Sequence, residues 1–369
     1  MFALIKVIKY KSLNTIFIIL LLALASFTQI LKQAWLANEF SPEGYAVWAT
    51  ALLFTQLVYN FGGIGIHNYA ARYAAVYQSR GKNGLIEFLK LRTLILYFIL
   101  APLSLPLIYI VTGISAQGYF LEYIIYAFSN IFLNISLIPV YVRNSKRFAF
   151  IQFLRGTLGL LSALIAVYLT SSLSITLIME ALVVFCIAFT VFKNSRIKIK
   201  LRWIKFKWTP IDLIPFFFPV IIATIIATFS RIIAVNSLNE TELGIYYLWF
   251  IIVILGSNIQ YAISIILGPV ITRKLSEPDT NDLHLYIIKV WFGLLLMLAI
   301  FAVVLYLILP ILIQIFPNYT NGIFLAVPFL FLMGAKSLDI WPIYFVLIGK
   351  PNFSTISSII LLLLLSSFY

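Results

Sequence analysis

Long hydrophobic runs alternate with short polar segments along the whole chain. Each run has about 17 to 25 residues, enough for a helix to cross the roughly 30 Å hydrocarbon core of a bilayer. The pattern therefore predicts an all-α polytopic membrane protein with about 11 transmembrane helices. These helices are expected over residues 13–31, 44–66, 92–112, 119–141, 154–171, 173–192, 211–235, 244–267, 289–309, 322–348 and 352–368.

Two stretches of the chain share one plan, which predicts two related bundles. An apolar run broken by Pro215 and Pro219 ends at the polar corner 236–242, and a second apolar run follows. The earlier corner 41–43 leads into a second run in the same way. We expect a six-helix bundle over residues 1–192, a linker over 193–210 and a bundle of about five helices over 211–369, which leaves the last helix of a twelve-helix plan missing.

The basic residues indicate how the chain is oriented in the membrane. The net charge is +14, with 26 Lys and Arg against 12 Asp and Glu. Lys32 is expected on one side and Arg231 and Lys336 within apolar runs, whereas the other basic residues fall in alternate loops or helix ends on the opposite side. This asymmetry follows the positive-inside rule, so it predicts a cytoplasmic N-terminus and accounts for the charge without nucleic-acid binding.

The linker over residues 193–210 is basic and amphipathic in composition. From Lys193 to Trp208 it carries seven basic residues and no acid, interleaved with aromatic and aliphatic side chains. We expect it to lie on the cytoplasmic membrane surface, with its aromatic rings at headgroup level and its basic groups near anionic lipid. A docking site for a cytoplasmic partner is the alternative that the sequence leaves open.

The chain has few residues suited to catalysis or to metal binding. It contains no phosphate-binding glycine loop, no paired metal-ligand spacing and no nucleophile elbow. Its two histidines, His67 and His284, are far apart in sequence, and the single Cys186 cannot form an internal disulfide. We therefore expect no cofactor, no metal and no enzymatic activity.

Ionisable residues inside the apolar runs are the candidate functional groups. A charge at the centre of a transmembrane helix costs about 2.5–3.5 kcal/mol on insertion scales, so such residues usually face a bundle interior or a wet cavity. The candidates are Arg231, Lys336, Asp339 and Glu180, with Glu122 and Asp212 nearer the ends of their runs.

Each of the central candidates has two interpretations. Arg231 either binds an anion in a central cavity or extends to the nearby interface. Lys336 and Asp339 are three residues apart on one helical face, so they either serve transport or neutralise each other. Glu180 is either a proton-coupling acid or a protonated structural one. For Glu122 and Asp212 ordinary solvation is the simpler interpretation.

Several short motifs in this sequence resemble those of one transporter superfamily. They are the corner Pro42–Tyr45 with Trp48, the turn Asn60–Gly63, Arg72 after the second helix, and the corner Glu242–Tyr246. These motifs resemble the polysaccharide-export branch of the multidrug/oligosaccharidyl-lipid/polysaccharide exporter superfamily, and within it the bacterial O-antigen flippases. The resemblance covers essentially the whole chain in helix order.

The resemblance implies a MATE-like transporter, in which two six-helix bundles surround a cavity that opens alternately to each side of the bacterial inner membrane. The implied substrate is a polyprenyl-pyrophosphate-linked O-antigen unit, which passes from the cytoplasmic to the periplasmic leaflet during lipopolysaccharide biosynthesis. Implied partners are this lipid-linked oligosaccharide, membrane lipids and polysaccharide-assembly proteins.

The resemblance also gives roles to single residues. Arg231 matches the family's basic position near the end of the seventh helix, and Arg72 matches the basic position that closes the second. Both are expected to bind the anionic substrate, together with Lys336. Glu180 and Asp339 are the residues expected to couple transport to an H⁺ or Na⁺ gradient.

Arg143, like Arg72, lies where a helix meets the cytoplasm, and an orienting charge is the alternative for both. Family members often have an acid just before the position of Arg231, where this chain has Ser230.

Two other functions remain open from the sequence. Drug exporters of the same superfamily commonly place a buried acid in the first helix, and residues 13–30 contain none. A membrane-embedded polymerase or ligase usually needs a large outer loop, and all the predicted outer loops are short. A lipid-linked oligosaccharide flippase is therefore the leading hypothesis.

Overall fold

The computed structural model describes residues 12–63, 65–113, 118–193, 214–274, 281–347, 353 and 356. These residues form twelve α-helices and two 3₁₀ helices. The α-helices are α1 (Ser12–Glu39), α2 (Pro42–Gly63), α3 (Ile66–Ser79), α4 (Asn83–Thr112), α5 (Phe120–Arg143), α6 (Ser145–Thr170), α7 (Leu173–Lys193), α8 (Ile214–Ser237), α9 (Glu240–Lys274), α10 (Asn281–Ile315), α11 (Ala326–Ala335) and α12 (Ile340–Leu347).

The described helices confirm the predicted fold class, an all-α polytopic membrane protein. Eight of them are long and apolar enough to cross a membrane, judged on the described residues alone. The predicted turn at residues 171–172 is also confirmed, because α6 ends at Thr170 and α7 begins at Leu173. Ser171 makes that turn with a φ of 48°. The predicted helix over 352–368, most of the linker over 193–210 and Asp212 lie outside the described residues.

Several helices are longer than their apolar runs. α1 continues to Glu39 and α4 begins at Asn83, each about two turns beyond the predicted limit. The added turns carry charged residues that hydropathy places in loops, and two of these, Lys32 and Lys90, are buried in the protein. Packing inside the protein, rather than contact with lipid, therefore extends these helices.

One predicted helix is interrupted in the structure, and another continues through two prolines. The predicted helix over 322–348 is divided among a 3₁₀ helix (Pro317–Leu325), α11, a second 3₁₀ helix (Lys336–Asp339) and α12. The helix predicted over 211–235 is present as α8, which is continuous from Ile214 to Ser237 through both Pro215 and Pro219. Pro215 lies in the first turn, where proline is tolerated because the donor it lacks has no partner there. The kink expected at these prolines stays a prediction.

The chain divides into two compact units, each made of several segments. The first unit comprises residues 1–49, 149–160 and 238–348, and the second comprises 50–148, 161–237 and 349–369. Both units include residues from each of the predicted bundles. The division into bundles over 1–192 and 211–369 stays a prediction.

In the first unit, α9 is the central helix and packs against α1, α10, α11, α12 and both 3₁₀ helices. The indole nitrogen of Trp249 on α9 donates to the carbonyl oxygen of Tyr319 at 3.0 Å. The Tyr319 hydroxyl in turn donates to the carbonyl oxygen of Ala37 on α1 at 2.8 Å. Tyr319 thus connects α9 to α1 by buried hydrogen bonds.

The two corners that the sequence aligns meet each other in the first unit. The Thr241 hydroxyl donates a hydrogen bond to the Glu43 carboxylate. A Cβ atom at Gly244 would lie 1.9 Å from the carbonyl oxygen of Pro42, so only glycine permits this approach. The start of α2 therefore rests directly on the start of α9.

In the second unit, α5 and α7 run parallel and pack side by side, while α3 and α4 form a hairpin. The end of α2 lies close to α4 because of two glycines: a Cβ at Gly62 would lie 2.7 Å from the Cα of Ala101, and one at Gly63 would lie 1.9 Å from the Tyr97 hydroxyl. The Asn60–Gly63 turn therefore allows close helix contact. α8 packs against α3 and α4 in the same unit.

Candidate functional site

Arg231 lies inside the second unit, near the C-terminal end of α8. Its side chain is 7% exposed, and its Nη2 atom donates to Oε1 of Gln56 on α2 at 2.6 Å. Two other buried polar residues, Thr224 and Thr228, precede it on α8 at helical spacing. The guanidinium is therefore enclosed by the protein.

The partner of the Arg231 guanidinium in this contact is a neutral amide. A hydrogen bond from a cation is shorter and stronger than one between neutral groups, and it fixes the orientation of the planar guanidinium. An amide oxygen accepts the bond without adding a negative charge. Gln56 consequently orients Arg231 but does not neutralise it, and the sequence analysis did not single out Gln56.

Glu180 is also buried in the second unit, on α7, with 4% of its surface exposed. The Tyr126 hydroxyl on α5 donates to its Oε1 atom at 3.1 Å. Nearer the start of the same helix pair, the Ser174 hydroxyl donates to Oε1 of Glu122 at 2.5 Å. Glu122 is thus hydrogen-bonded within the protein and only partly exposed, which differs from the ordinary solvation expected for it.

A cluster of charges that the sequence analysis missed joins α4 to α5. Glu87 lies between two cations: its Oε2 atom is 2.9 Å from Nζ of Lys90, and its Oε1 atom accepts a hydrogen bond from Nη1 of Arg143. Nη2 of Arg143 also donates to the carbonyl oxygen of Asn83 at 2.7 Å. Arg143 therefore has a structural partner at the end of α5.

Lys90 is the most buried member of this charge cluster. Its side chain is fully buried, and Nζ lies 4.3 Å from the ring centroid of Phe192 on α7, a cation–π distance. Glu87 and Lys90 are three residues apart, so one face of α4 carries both. The three-residue spacing of Glu87 and Lys90 is a sequence signal for an ion pair on one helical face. It was not recognised because both residues precede the helix predicted over 92–112.

The remaining predicted site residues lie elsewhere. Arg72 is half-buried on α3, with its guanidinium carbon 5.8 Å from the ring centroid of Tyr73. Lys336 is half-buried at the start of the second 3₁₀ helix and belongs to the first unit. Asp339 ends that 3₁₀ helix, and its side chain is outside the described part of the structure. The proposed roles of these residues stay predictions.

Lys32 is a further buried cation, in the first unit. It is 6% exposed on α1, and Nζ lies 5.1 Å from the ring centroid of Trp48 on α2. The sequence places it just outside the membrane, because its hydropathy ends the first apolar run. The structure instead encloses it beside an aromatic ring, where the ring face favours a cation.

His67 belongs to an aromatic cluster at the break between α2 and α3. Its Nδ1 atom is 3.1 Å from the Tyr97 hydroxyl, which itself donates to the carbonyl oxygen of Tyr59 at 2.7 Å. Because the tyrosine proton is used in that bond, Nδ1 of His67 is the donor to the hydroxyl. Across the described ranges, no group of three or more His, Cys, Asp or Glu is placed to hold a metal ion.

Solved structures share this fold across nearly the whole chain. An outward-facing multidrug resistance MATE family transporter of the MOP superfamily matches with a TM-score of 0.68 and 15% identity, over 94% of this chain and 84% of that chain. An inward-facing structure with the same description matches with a TM-score of 0.63 and 18% identity, over 95% and 84%.

A third solved structure extends the same likeness. The Vibrio cholerae MATE transporter VcmN in the bent form matches with a TM-score of 0.63 and 12% identity, over 94% of this chain and 87% of that chain. No protein-family model and no curated protein matches this sequence. The comparisons therefore establish a MATE-like fold, in agreement with the superfamily that the sequence motifs resemble.

Proposed function

We propose that this protein is a membrane transporter that moves a polyprenyl-pyrophosphate-linked oligosaccharide, such as an O-antigen unit, across the bacterial inner membrane. The direction is from the cytoplasmic to the periplasmic leaflet, by alternating access and with energy from an ion gradient. The observation that carries this proposal is the buried Arg231, oriented by the neutral Gln56, in a MATE-like fold.

The chemistry of this site suits a pyrophosphate. Phosphate oxygens accept two parallel hydrogen bonds from a guanidinium, and arginine keeps its charge even when it is desolvated. An ionisable residue within a transmembrane segment is a functional candidate by default, because such residues are rare and usually face a bundle interior or a wet cavity. Lys336 and Arg72 are proposed as further cationic contacts, and Glu180 and Asp339 as the ion-coupling acids.

The alternative function is a cation-coupled multidrug exporter. The solved structures that share the fold include transporters described as multidrug resistance proteins. The buried Glu180 would bind a cationic drug or the coupling ion as readily as it would serve a flippase. A membrane-embedded polymerase or ligase is the third hypothesis.

Deletion of the gene in its own host separates these functions. A flippase deletion loses surface polysaccharide while intact lipid-linked units accumulate on the cytoplasmic leaflet. A drug-exporter deletion keeps its polysaccharide and becomes sensitive to toxic cations. Loss of a polymerase leaves single unpolymerised units at the surface.

Complementation with variants then tests the site. Arg231→Ala is expected to abolish polysaccharide export at normal membrane abundance, because the anion loses its buried partner. Arg147→Ala removes an exposed arginine at the start of α6 and is the matched control, expected to export normally. Full export by Arg231→Ala would contradict the role of Arg231.

A further inference from the structure

The helical path of the chain is interrupted between α2 and α3, in the second unit. α2 ends at Gly63 and α3 begins at Ile66. Between them Gly65 has a φ of 74°, in the left-handed region that residues with a Cβ atom rarely adopt. A continuous helix therefore does not fix the orientation of α3 on α2, and side-chain contacts across this join have to do so.

Tyr97 on α4 bridges the join between α2 and α3. Its hydroxyl donates to the carbonyl oxygen of Tyr59 in the last turn of α2 at 2.7 Å. The same hydroxyl oxygen is 3.1 Å from Nδ1 of His67 in the first turn of α3. A Cβ atom at Gly63 would lie 1.9 Å from this oxygen, so the hydroxyl rests directly on the end of α2. One buried hydroxyl thus contacts the chain on both sides of the join.

Ring stacking strengthens the same bridge. The ring centroids of Tyr59 and His67 are 4.5 Å apart, and those of Tyr59 and Tyr97 are 5.8 Å apart with an angle of 21° between the planes. Aromatic pairs at these separations attract each other beyond the effect of burial. The three residues form one cluster, here called the aromatic bracket, that holds the end of α2, the start of α3 and the middle of α4 together.

The aromatic bracket is close to the Arg231 site. Gln56, which accepts the hydrogen bond from Arg231, precedes Tyr59 by three residues and lies about one turn away on α2. Beyond the join, α3 packs against α8, the helix that carries Arg231. Because α8 contacts the chain both before and after the join, the orientation of α3 on α2 affects how the guanidinium meets the amide.

We propose that Tyr97 and His67 are positioning residues for Arg231. Their contacts across the join hold α3 in one orientation on α2, and this orientation keeps Gln56 on α2 aligned with the guanidinium on α8. Their effect on Arg231 passes through the backbones of α2 and α3. The consequence for export rests on the proposed function, whereas the consequence for helix orientation does not.

Spin-label distances in the purified full chain test the helix orientation directly. Arg80→Cys and Ile233→Cys provide exposed label sites just after α3 and on α8, in a Cys186→Ser background. Tyr97→Phe keeps the ring and removes the hydroxyl. We expect it to raise the population of distances absent from wild type about fivefold, the change in an equilibrium that loss of one neutral hydrogen bond produces. The matched control Tyr109→Phe removes an exposed hydroxyl from the same helix and is expected to leave the distances unchanged.

His67→Phe is a second variant for the same measurement. It keeps a ring beside Tyr59 and removes the Nδ1 donor, while the Tyr97 hydroxyl can still donate to the Tyr59 carbonyl oxygen. We expect a change in the label distances that is smaller than in Tyr97→Phe. A larger change would contradict the central place of the Tyr97 hydroxyl.

A double-mutant cycle in the export assay tests the connection to Arg231. Tyr97→Phe is expected to reduce export, at normal membrane abundance, by no more than Gln56→Met does. In the Gln56→Met background the same substitution should cause little further loss, because both substitutions act through one contact. A tyrosine with only a structural role would lower membrane abundance instead, and its effect would add to that of Gln56→Met.

Three results would overturn the proposal. They are unchanged label distances in Tyr97→Phe, an equal change of those distances in Tyr109→Phe, and additive losses of export in the double variant. Failure of the proposed function is recognised separately, since deletion of the gene would then leave the polysaccharide intact. Shifted label distances in Tyr97→Phe would still support the aromatic bracket in that case.

Discussion

Two polar sites in the second unit hold an arginine against partners of different charge. Arg143, whose side chain is 32% exposed, donates to the carboxylate of the buried Glu87, and Lys90 contacts the same carboxylate, so two cations share one anion. Arg231 is buried and donates to the amide oxygen of Gln56, which is a neutral partner in this contact. The comparison teaches that the charge of a partner, as well as burial, has to be considered when an arginine is assigned a structural or a binding role.

The largest expected effect is on the charge cluster. Glu87→Gln leaves the fully buried Lys90 without its carboxylate, and breaking a buried pair in this way typically costs about 3–5 kcal/mol. We expect a matching loss of thermal stability for the purified protein in detergent. The double variant Glu87→Gln with Lys90→Met should recover much of the loss, because no buried charge is left unpaired. A double variant as unstable as the single one would contradict the structural role.

The second prediction makes the Arg231 site resemble the charge cluster. Gln56→Glu places a carboxylate at the position that now accepts the bond from Arg231, so the guanidinium gains an anionic partner there. We expect export to fall by about tenfold or more, equivalent to about 1.4 kcal/mol, with stability unchanged or improved. Gln56→Met removes only the orienting bond and should reduce export less. Equal export by Gln56→Glu and wild type would show that substrate export does not depend on the charge of Arg231.

The third prediction concerns Glu180, a buried acid held by a tyrosine hydroxyl. If it couples protons, Glu180→Gln should remove the dependence of transport on a pH gradient in proteoliposomes. Tyr126→Phe deletes one neutral hydrogen bond, costs about 1 kcal/mol and should retain the dependence. An unchanged pH dependence in Glu180→Gln would remove the coupling role.

The smallest effect is expected at Glu43, a partly exposed carboxylate, which serves as a reference for the buried ones. Hydrogen bonds from Thr241 and Ser41 lower the pKa of Glu43 in the first turn of α2. A lowered pKa stabilises the fold at pH values above the ordinary value of the carboxylate, and this contribution is lost as pH falls through the folded pKa. Thr241→Val should therefore reduce stability by no more than about 0.5 kcal/mol at pH 7 and by less at pH 3, measured by thermal unfolding.

The fold class was predictable because membranes impose strong rules on sequence. Backbone groups in lipid must bond within a helix, so an apolar run of sufficient length can only be a helix. The run over 119–141 matches α5 to within two residues at each end for that reason. The aligned corners at Glu43 and Thr241 were visible in the sequence, and the structure places them in contact.

The exact limits of the helices, and the charged residues that they enclose, were less predictable from the sequence. Hydropathy treats any charge as a limit, so it ended one run before Lys32 and began another after Lys90, although the protein encloses both residues. The division of the predicted helix over 322–348 depends on packing around α9 that no local pattern encodes.

The sequence by itself determined that the chain is helical and membrane-spanning, and it identified Arg231 and Glu180 as unusual charges, because each lies alone within an apolar run. Only the tertiary structure decided their partners. Gln56 is distant in sequence from Arg231, as Tyr126 is from Glu180 and Arg143 is from Glu87, and these pairs meet only through helix packing. A partner across a helix interface depends on the rotation of both helices, which a one-dimensional pattern does not fix.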